Sequence, residues 1–294
     1  MSGTPSAEVA IDLELARSLL ERQHPDLAGE PLALAGEGWD NATFRLGESL
    51  ALRLPRHDAA AQLILHEQRW LPELAPALPI DVPAPVRIGS PDLDYPYAWS
   101  VVPWFEGATA NLEPPVEAEA GRLGAFLAAL HVAAPASAPR NPVRGVPLEV
   151  RRDAVEERLD RLEVMTDCVD ARVRRVWTDA LAAPIDAGDT WLHGDLHPRN
   201  VLVDAGRLSA IIDWGDVAAG DRATDLASIW MLFEERPARE RAIAACGPTS
   251  EATLARARGW AVFFGAVLVD TGVVDHPAHA EIGERTLRRV AEDA

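Results

Sequence analysis

His193-Gly194-Asp195-Leu196-His197-Pro198-Arg199-Asn200, followed by Ile211-Ile212-Asp213-Trp214-Gly215-Asp216, is the stretch on which the reading of this chain turns. Asp195 and Asn200 stand in the order D-x-x-x-x-N, and a third oxygen-bearing side chain, Asp213, closes a short apolar hairpin. Taken singly, each has an ordinary explanation, because Asp and Asn cap local backbone in turns. Taken together, in this order and spacing, they suit phosphoryl transfer. That chemistry needs a carboxylate to orient and deprotonate an acceptor hydroxyl, and oxygen ligands to hold Mg²⁺ on nucleotide phosphates. His193, Asp195 and His197 also alternate, so an extended segment would present them together as metal ligands. That alternative leaves Pro198 and Asp213 unexplained.

Working outward, residues 201–203 and 208–212 are strand-like and Ala205-Gly206 makes the turn between them. The surrounding sequence is patterned for helices over 117–131, 148–164, 168–182, 222–233 and 253–269. The first hundred residues read differently. A short helix over 13–20 is ended by Pro25, and strands are expected at 32–35, 42–46 and 50–54, punctuated by glycine turns. A helix then runs over 58–74 until a series of prolines forbids its continuation, and two more strands are expected at 86–88 and 97–102. The expected plan is an α+β bilobal chain. A small antiparallel β-rich N-lobe (1–102) joins a larger, mainly helical C-lobe (108–294) through a connection at 103–107.

The His-Gly-Asp-Leu-His-Pro-x-Asn and Ile-Asp-Trp-Gly-Asp strings resemble motifs of the aminoglycoside phosphotransferase family, antibiotic kinases with a protein-kinase-like fold; Gly220-Asp221-x-x-x-Asp225-Leu226 matches that family's pattern as well. The resemblance implies Asp195 as catalytic base, Asn200 and Asp213 as magnesium ligands, and His193 and Asp225 as supports of the catalytic loop. It implies Mg²⁺ with ATP or GTP, and a small hydroxyl-bearing acceptor placed against the helical lobe. Candidate acceptor contacts are Asp216, Trp230, Glu234, Glu235 and Asp270. Carboxylates there would attract a cationic, aminoglycoside-like acceptor, whereas a macrolide would favour Trp230 and its neighbours. A metabolic sugar or amino-alcohol kinase and a nucleotide-binding pseudokinase are the other readings the pattern permits.

The N-lobe candidates follow from the same scheme. Gly38, within Gly36-Glu37-Gly38-Trp39-Asp40-Asn41, lies between two strands where backbone N–H groups could approach phosphates. Protein kinases place a lysine on the third strand, paired with a helix glutamate. This chain contains no lysine at all, and Arg53 occupies that place, on the opposite face from Leu52 and Leu54. Its expected partner is Glu67, which shares a helical stripe with Ile64, Leu71 and Leu74; a carboxylate in such a stripe is costly unless paired. The alternative is that Glu67 sits at the stripe's edge and pairs with Arg69 or with solvent. Pro103 and Phe105, in the connection, are placed to meet the nucleotide base, with Pro103 able to offer only its carbonyl.

Composition bounds the rest. The 294 residues carry 46 acidic against 28 basic side chains, a formal net charge of −18, which disfavours nucleic acid or an anionic membrane as partner. Cys168 and Cys246 lack the spacing of a disulfide framework or a zinc site, in keeping with a reducing compartment. Residues 1–18 lack a basic start and an apolar core, and the apolar run 260–269 is too short to cross a hydrocarbon layer of about 30 Å. A cytoplasmic chain is expected.

Overall fold

The computed structural model describes residues 7–92, 94–274 and 277–294, so part of the N-terminal stretch read for a leader lies outside the described residues. The chain opens with α1 (Leu13–Gln23), whose first turn is capped by Asp12 accepting from the Leu15 N–H. Then come β1 (Leu32–Glu37), β2 (Asn41–Leu46), β3 (Leu50–Pro55), α2 (Asp58–Leu74), β4 (Arg87–Gly89) and β5 (Trp99–Pro103). The five strands form one antiparallel sheet in the order β1-β2-β3-β5-β4, which puts β3 and Arg53 at its centre. Phe44, Leu52, Leu54, Trp99 and Val101 build a compact core with Leu19 and Leu20 of α1.

The second lobe contains β6 (Ala108–Thr109), α3 (Ala120–Leu130), α4 (Arg152–Met165), α5 (Ala171–Ala182), β7 (Thr190–Leu192), β8 (Val201–Asp204), β9 (Arg207–Ile211) and β10 (Ala218–Gly220). Five helices finish it: α6 (Ala223–Leu226), α7 (Ser228–Leu232), α8 (Arg236–Ala245), α9 (Glu251–Val274) and α10 (Pro277–Glu292). The β8–β9 hairpin turns on Ala205 and Gly206, both at positive φ. The patterned stretch 222–233 is two short helices rather than one continuous helix.

The two lobes do not separate cleanly at residue 103. Trp70 and Leu71 of α2, with Ile80 and Val82, belong to the core of the helical lobe, and the Ile211 N–H donates to the Asp81 carbonyl at 2.9 Å. The end of α2 therefore anchors the N-lobe on the hairpin that carries Asp213. The α9 helix extends well beyond the run 260–269. Its segment Glu251–Gly272 is long and apolar enough to cross a membrane by length and composition, and 72% of its apolar window is buried inside the fold. α10 lies against it so closely that a Cβ on Gly272 would fall 2.1 Å from the Ala280 nitrogen. Cys168 and Cys246 are not bonded to each other or to another cysteine.

Candidate active site

β7 delivers the chain into the loop 193–200, and every turn of that loop is fastened. The His193 side chain is buried. Its Nε2 lies 2.9 Å from the Ile212 carbonyl and its Nδ1 accepts from the Asp195 N–H at 3.2 Å, which places the ring proton on Nε2. Asp225, on α6, accepts from the N–H groups of His193 (2.8 Å) and Gly194 (2.9 Å), so one buried carboxylate satisfies two consecutive amides of the loop. Gly194 sits at φ +87°, and a Cβ there would fall 2.7 Å from the Asp216 carbonyl oxygen. Only glycine fits this crossing of the two motif segments.

Asp195, Asn200 and Asp213 converge through these ties. The Asn200 Nδ2 donates to the Asp195 carbonyl at 2.9 Å and lies 3.5 Å from its Oδ2, while the Asn200 carbonyl accepts from the Ile212 N–H at 2.9 Å. Burial works against the charge of Asp195, but His197 and Arg144 outweigh it and hold the carboxyl well below the usual range. Asp213 adopts φ +62°, unusual for a non-glycine residue, and leaves its side chain 49% exposed. Its neighbour Asp216 is shifted the other way: burial and the charge of Asp195 raise its carboxyl. Burial and Asp213 likewise raise Asp40.

The Asn200 Oδ1 and the Asp213 carboxylate are hard oxygen donors left open by their hydrogen bonding, which fits magnesium shared with phosphate oxygens and water. Among the described residues no group of three or more His, Cys, Asp and Glu could hold a metal by itself. His193, Asp195 and His197 do not form such a group. His193 Nε2 and Nδ1 face local backbone, and His197 Nδ1 accepts from the Arg199 N–H.

Asp213 also lines a cleft of about 300 Å³, together with Gly38, Arg53, Pro103 and Phe105. Arg53, on β3, meets Glu67 of α2 in a buried ion pair, and its other amino group stands 3.7 Å from Asp213. Burial pushes the Glu67 carboxyl up and Arg53 opposes it, while Glu67 and Asp213 strengthen the Arg53 charge despite its own burial. Arg69 is not the partner; it pairs with Glu73 and lies over the Trp70 ring. The loop carrying Gly38 is pinned as well: its carbonyl accepts from Arg56 at 2.7 Å, and the Arg56 N–H reaches the Asp40 carbonyl at 2.8 Å.

The candidate acceptor contacts divide. Asp216 lies beside Asp195 and accepts from the Asn141 Nδ2 at 2.5 Å. Trp230 does not line a site: it is only 1% exposed and donates to Asp293 at 2.9 Å, a core residue because the apolar stripe of its helix faces inward. Glu234 is held by Arg288 and Arg289, Asp270 by Arg158 and Arg161, and Glu235 stays exposed before α8. Sequence reasoning missed Asn141 and Arg144. The latter donates to Asp195 at 2.9 Å across 51 residues of sequence, and only the Asn-Pro-x-Arg-Gly turn pattern marks the segment.

A two-lobed chain with a five-stranded sheet joined to a helical lobe, a charged pair between the third strand and α2 and a D-x-x-x-x-N loop has the architecture of phosphotransferases built on the protein-kinase plan. Residues 32–260 match the model of the phosphotransferase enzyme family, and the chain belongs to that family. It is 32% identical over 163 residues to an aminoglycoside 3'-phosphotransferase of Streptomyces fradiae, covering 50% of this chain and 57% of that protein. The chain spans less than two thirds of the length of the curated relatives it matches. Its fold is similar to the GDP complex of aminoglycoside 2'-phosphotransferase-IIIa, with a TM-score of 0.67 at 18% identity over 97% of this chain and 100% of that one. The macrolide 2'-phosphotransferase MphH of Brachybacterium faecium superposes with a TM-score of 0.60 at 24% identity, over 94% of this chain and 97% of that one.

Proposed function

We propose that this phosphotransferase moves the γ-phosphoryl group of ATP or GTP onto a hydroxyl of a small molecule, with an aminoglycoside-like antibiotic as the first candidate acceptor. The observation that supports the reading is the tie of Asn200 to Asp195, together with Asp213 lining a cleft opposite Arg53. Asp195 orients the acceptor hydroxyl and takes its proton. Asn200 and Asp213 would hold magnesium, which supplies charge neutralisation on the phosphates when bound. Arg53, fixed by Glu67, steadies the phosphates from above, and the apolar walls at Pro103 and Phe105 receive the base. Positioning and electrostatics then account for most of the rate. A nucleotide-binding module without transfer has no use for Asp195, which argues against the pseudokinase reading.

A specific observation favours a second acceptor class. Glu234 and Asp270, which could draw in amines, are each paired with two arginines, so a polycation would have to displace those partners. An acceptor with one amine and a broad apolar body, such as a macrolide, carries no such requirement. A nucleotide-consumption screen over aminoglycosides, macrolides, sugars and amino alcohols, with Asp195→Ala as control, separates the classes. Acceptor-dependent release of ADP or GDP that Asp195→Ala abolishes is expected; none with any acceptor would sink the kinase reading.

A further inference from the structure

We infer that Arg144 is a positioning residue for Asp195, an inference that rests on the phosphotransferase reading. Its Nη2 donates to the Asp195 Oδ1 at 2.9 Å, with the two side chains only 18% and 22% exposed. The other oxygen, Oδ2, faces the Asn200 Nδ2 at 3.5 Å and the His197 Nε2 at 3.4 Å. Donors on both oxygens fix the plane of the carboxylate, and a free lone pair on Oδ1 remains for an acceptor hydroxyl.

Arg144 is itself held in place. Its guanidinium lies 4.8 Å from the Phe264 ring centroid and 5.4 Å from that of Phe263, both on α9. The Asn141 Oδ1 accepts from the N–H groups of Val143 (2.8 Å) and Arg144 (3.0 Å), and the same side chain donates to Asp216. Gly145 then donates to the Thr224 Oγ1 at 3.1 Å and accepts from the Asp221 N–H at 3.0 Å. The segment is thus tied at one end to Asp216 and at the other to the motif that carries Asp225.

This placement answers a charge problem. Asp195, Asp213, Asp216 and Asp40 crowd toward a site that must also take a triphosphate. Without a cation on the Asp195 side, repulsion from Asp216 and the phosphates would turn the base away from the in-line path. An ion pair kept only for stability would be a poor choice here, since partly buried pairs barely repay their desolvation.

The test is hydrolysis of MgATP and MgGTP with water as acceptor. The bond between the γ-phosphorus and its bridging oxygen breaks, a new P–O bond forms to water, and the water proton passes to Asp195 and then to solvent. Arg144→Met is expected to lower kcat by about 10- to 100-fold while nucleotide KM stays within about twofold, because positioning is lost and binding is not. Arg144→Lys, which keeps the charge, restores part of the rate and also guards against a misfolded Met variant; thermal unfolding of both is followed alongside. A kcat for Arg144→Met within about twofold of wild type, a rate above wild type, or a KM that rises in step with the fall in kcat overturns the role. If wild type and Asp195→Ala are equally inactive with every acceptor in the screen as well as water, the phosphotransferase reading fails and this inference with it. Wild-type turnover with an unaffected Arg144→Met removes Arg144 alone.

Discussion

The guanidinium of Arg53 reaches across from the central strand of the sheet to the buried carboxylate of Glu67 on α2, so the N-lobe is closed by an arginine where lysine is wholly absent from the chain. Removing one partner of a buried pair leaves an uncompensated charge. Glu67→Ala should therefore cost about 3–5 kcal/mol of stability, read as a lower urea midpoint. The double variant Arg53→Met/Glu67→Leu should recover most of that loss, since apolar side chains can replace both charges. A Glu67→Ala protein as stable as wild type would mean that the pair does not hold the lobe.

Arginine and lysine differ at this position in a way that can be measured. The Arg53 fork touches Glu67 with one amino group and stands 3.7 Å from Asp213 with the other; an ammonium cannot span both. Arg53→Lys should keep the fold but lose one charged contact near the phosphates. An increase of roughly tenfold in nucleotide Kd is expected, the equivalent of one charge-assisted hydrogen bond. Isothermal titration with MgADP and MgGDP checks it, and unchanged affinity for both would count against a phosphate role for Arg53.

Asp225 offers a test of the loop's support. Asparagine in its place can accept from one of the two amides of His193 and Gly194 but turns an N–H₂ toward the other. The unsatisfied amide should cost about 1–3 kcal/mol, and the displaced loop should lower kcat more than it raises nucleotide KM. Denaturant unfolding together with steady-state kinetics decides this. A stability loss with unchanged kcat would restrict Asp225 to folding.

Most of this was legible before the structure, for identifiable reasons. The strand at 42–46 alternates cleanly because one face is buried, the strand at 50–54 is buried on both faces and is apolar around Arg53, and α2 begins and ends where its pattern does. Arg53 and Glu67 could be matched because a charge in an apolar stripe demands a partner. Two helices escaped. α8 is built mostly of Arg, Ala and Glu with few apolar positions to set a period, and the buried face of α10 carries polar His279, Thr286 and Arg289 among its apolar positions, which blurs its stripe. Trp230 was misplaced because an apolar helix next to a motif reads equally well as pocket wall or core. Arg144 was invisible because its meaning lies in a contact with Asp195 that no local pattern encodes.

The acid side of the stability curve should report a cluster far from the sheet. Asp186 accepts from the hydroxyls of Ser250 and Thr253 and pairs with Arg256, and these partners, Ser250 foremost, hold its carboxyl at about 2 against an ordinary 3.8. A carboxyl lowered in the folded state binds fewer protons there than in the unfolded chain. Its contribution is therefore complete above the unfolded value, shrinks as pH falls from about 4 toward about 2, and is gone below the folded value. Asp186→Asn removes that titration while leaving one acceptor oxygen. The difference in urea midpoint between wild type and Asp186→Asn should be constant above about pH 5 and narrow steadily as the pH is lowered through the carboxylate range. A difference that holds constant from neutral pH into that range would show that Asp186 acts through its hydrogen bonds alone and not through its charge.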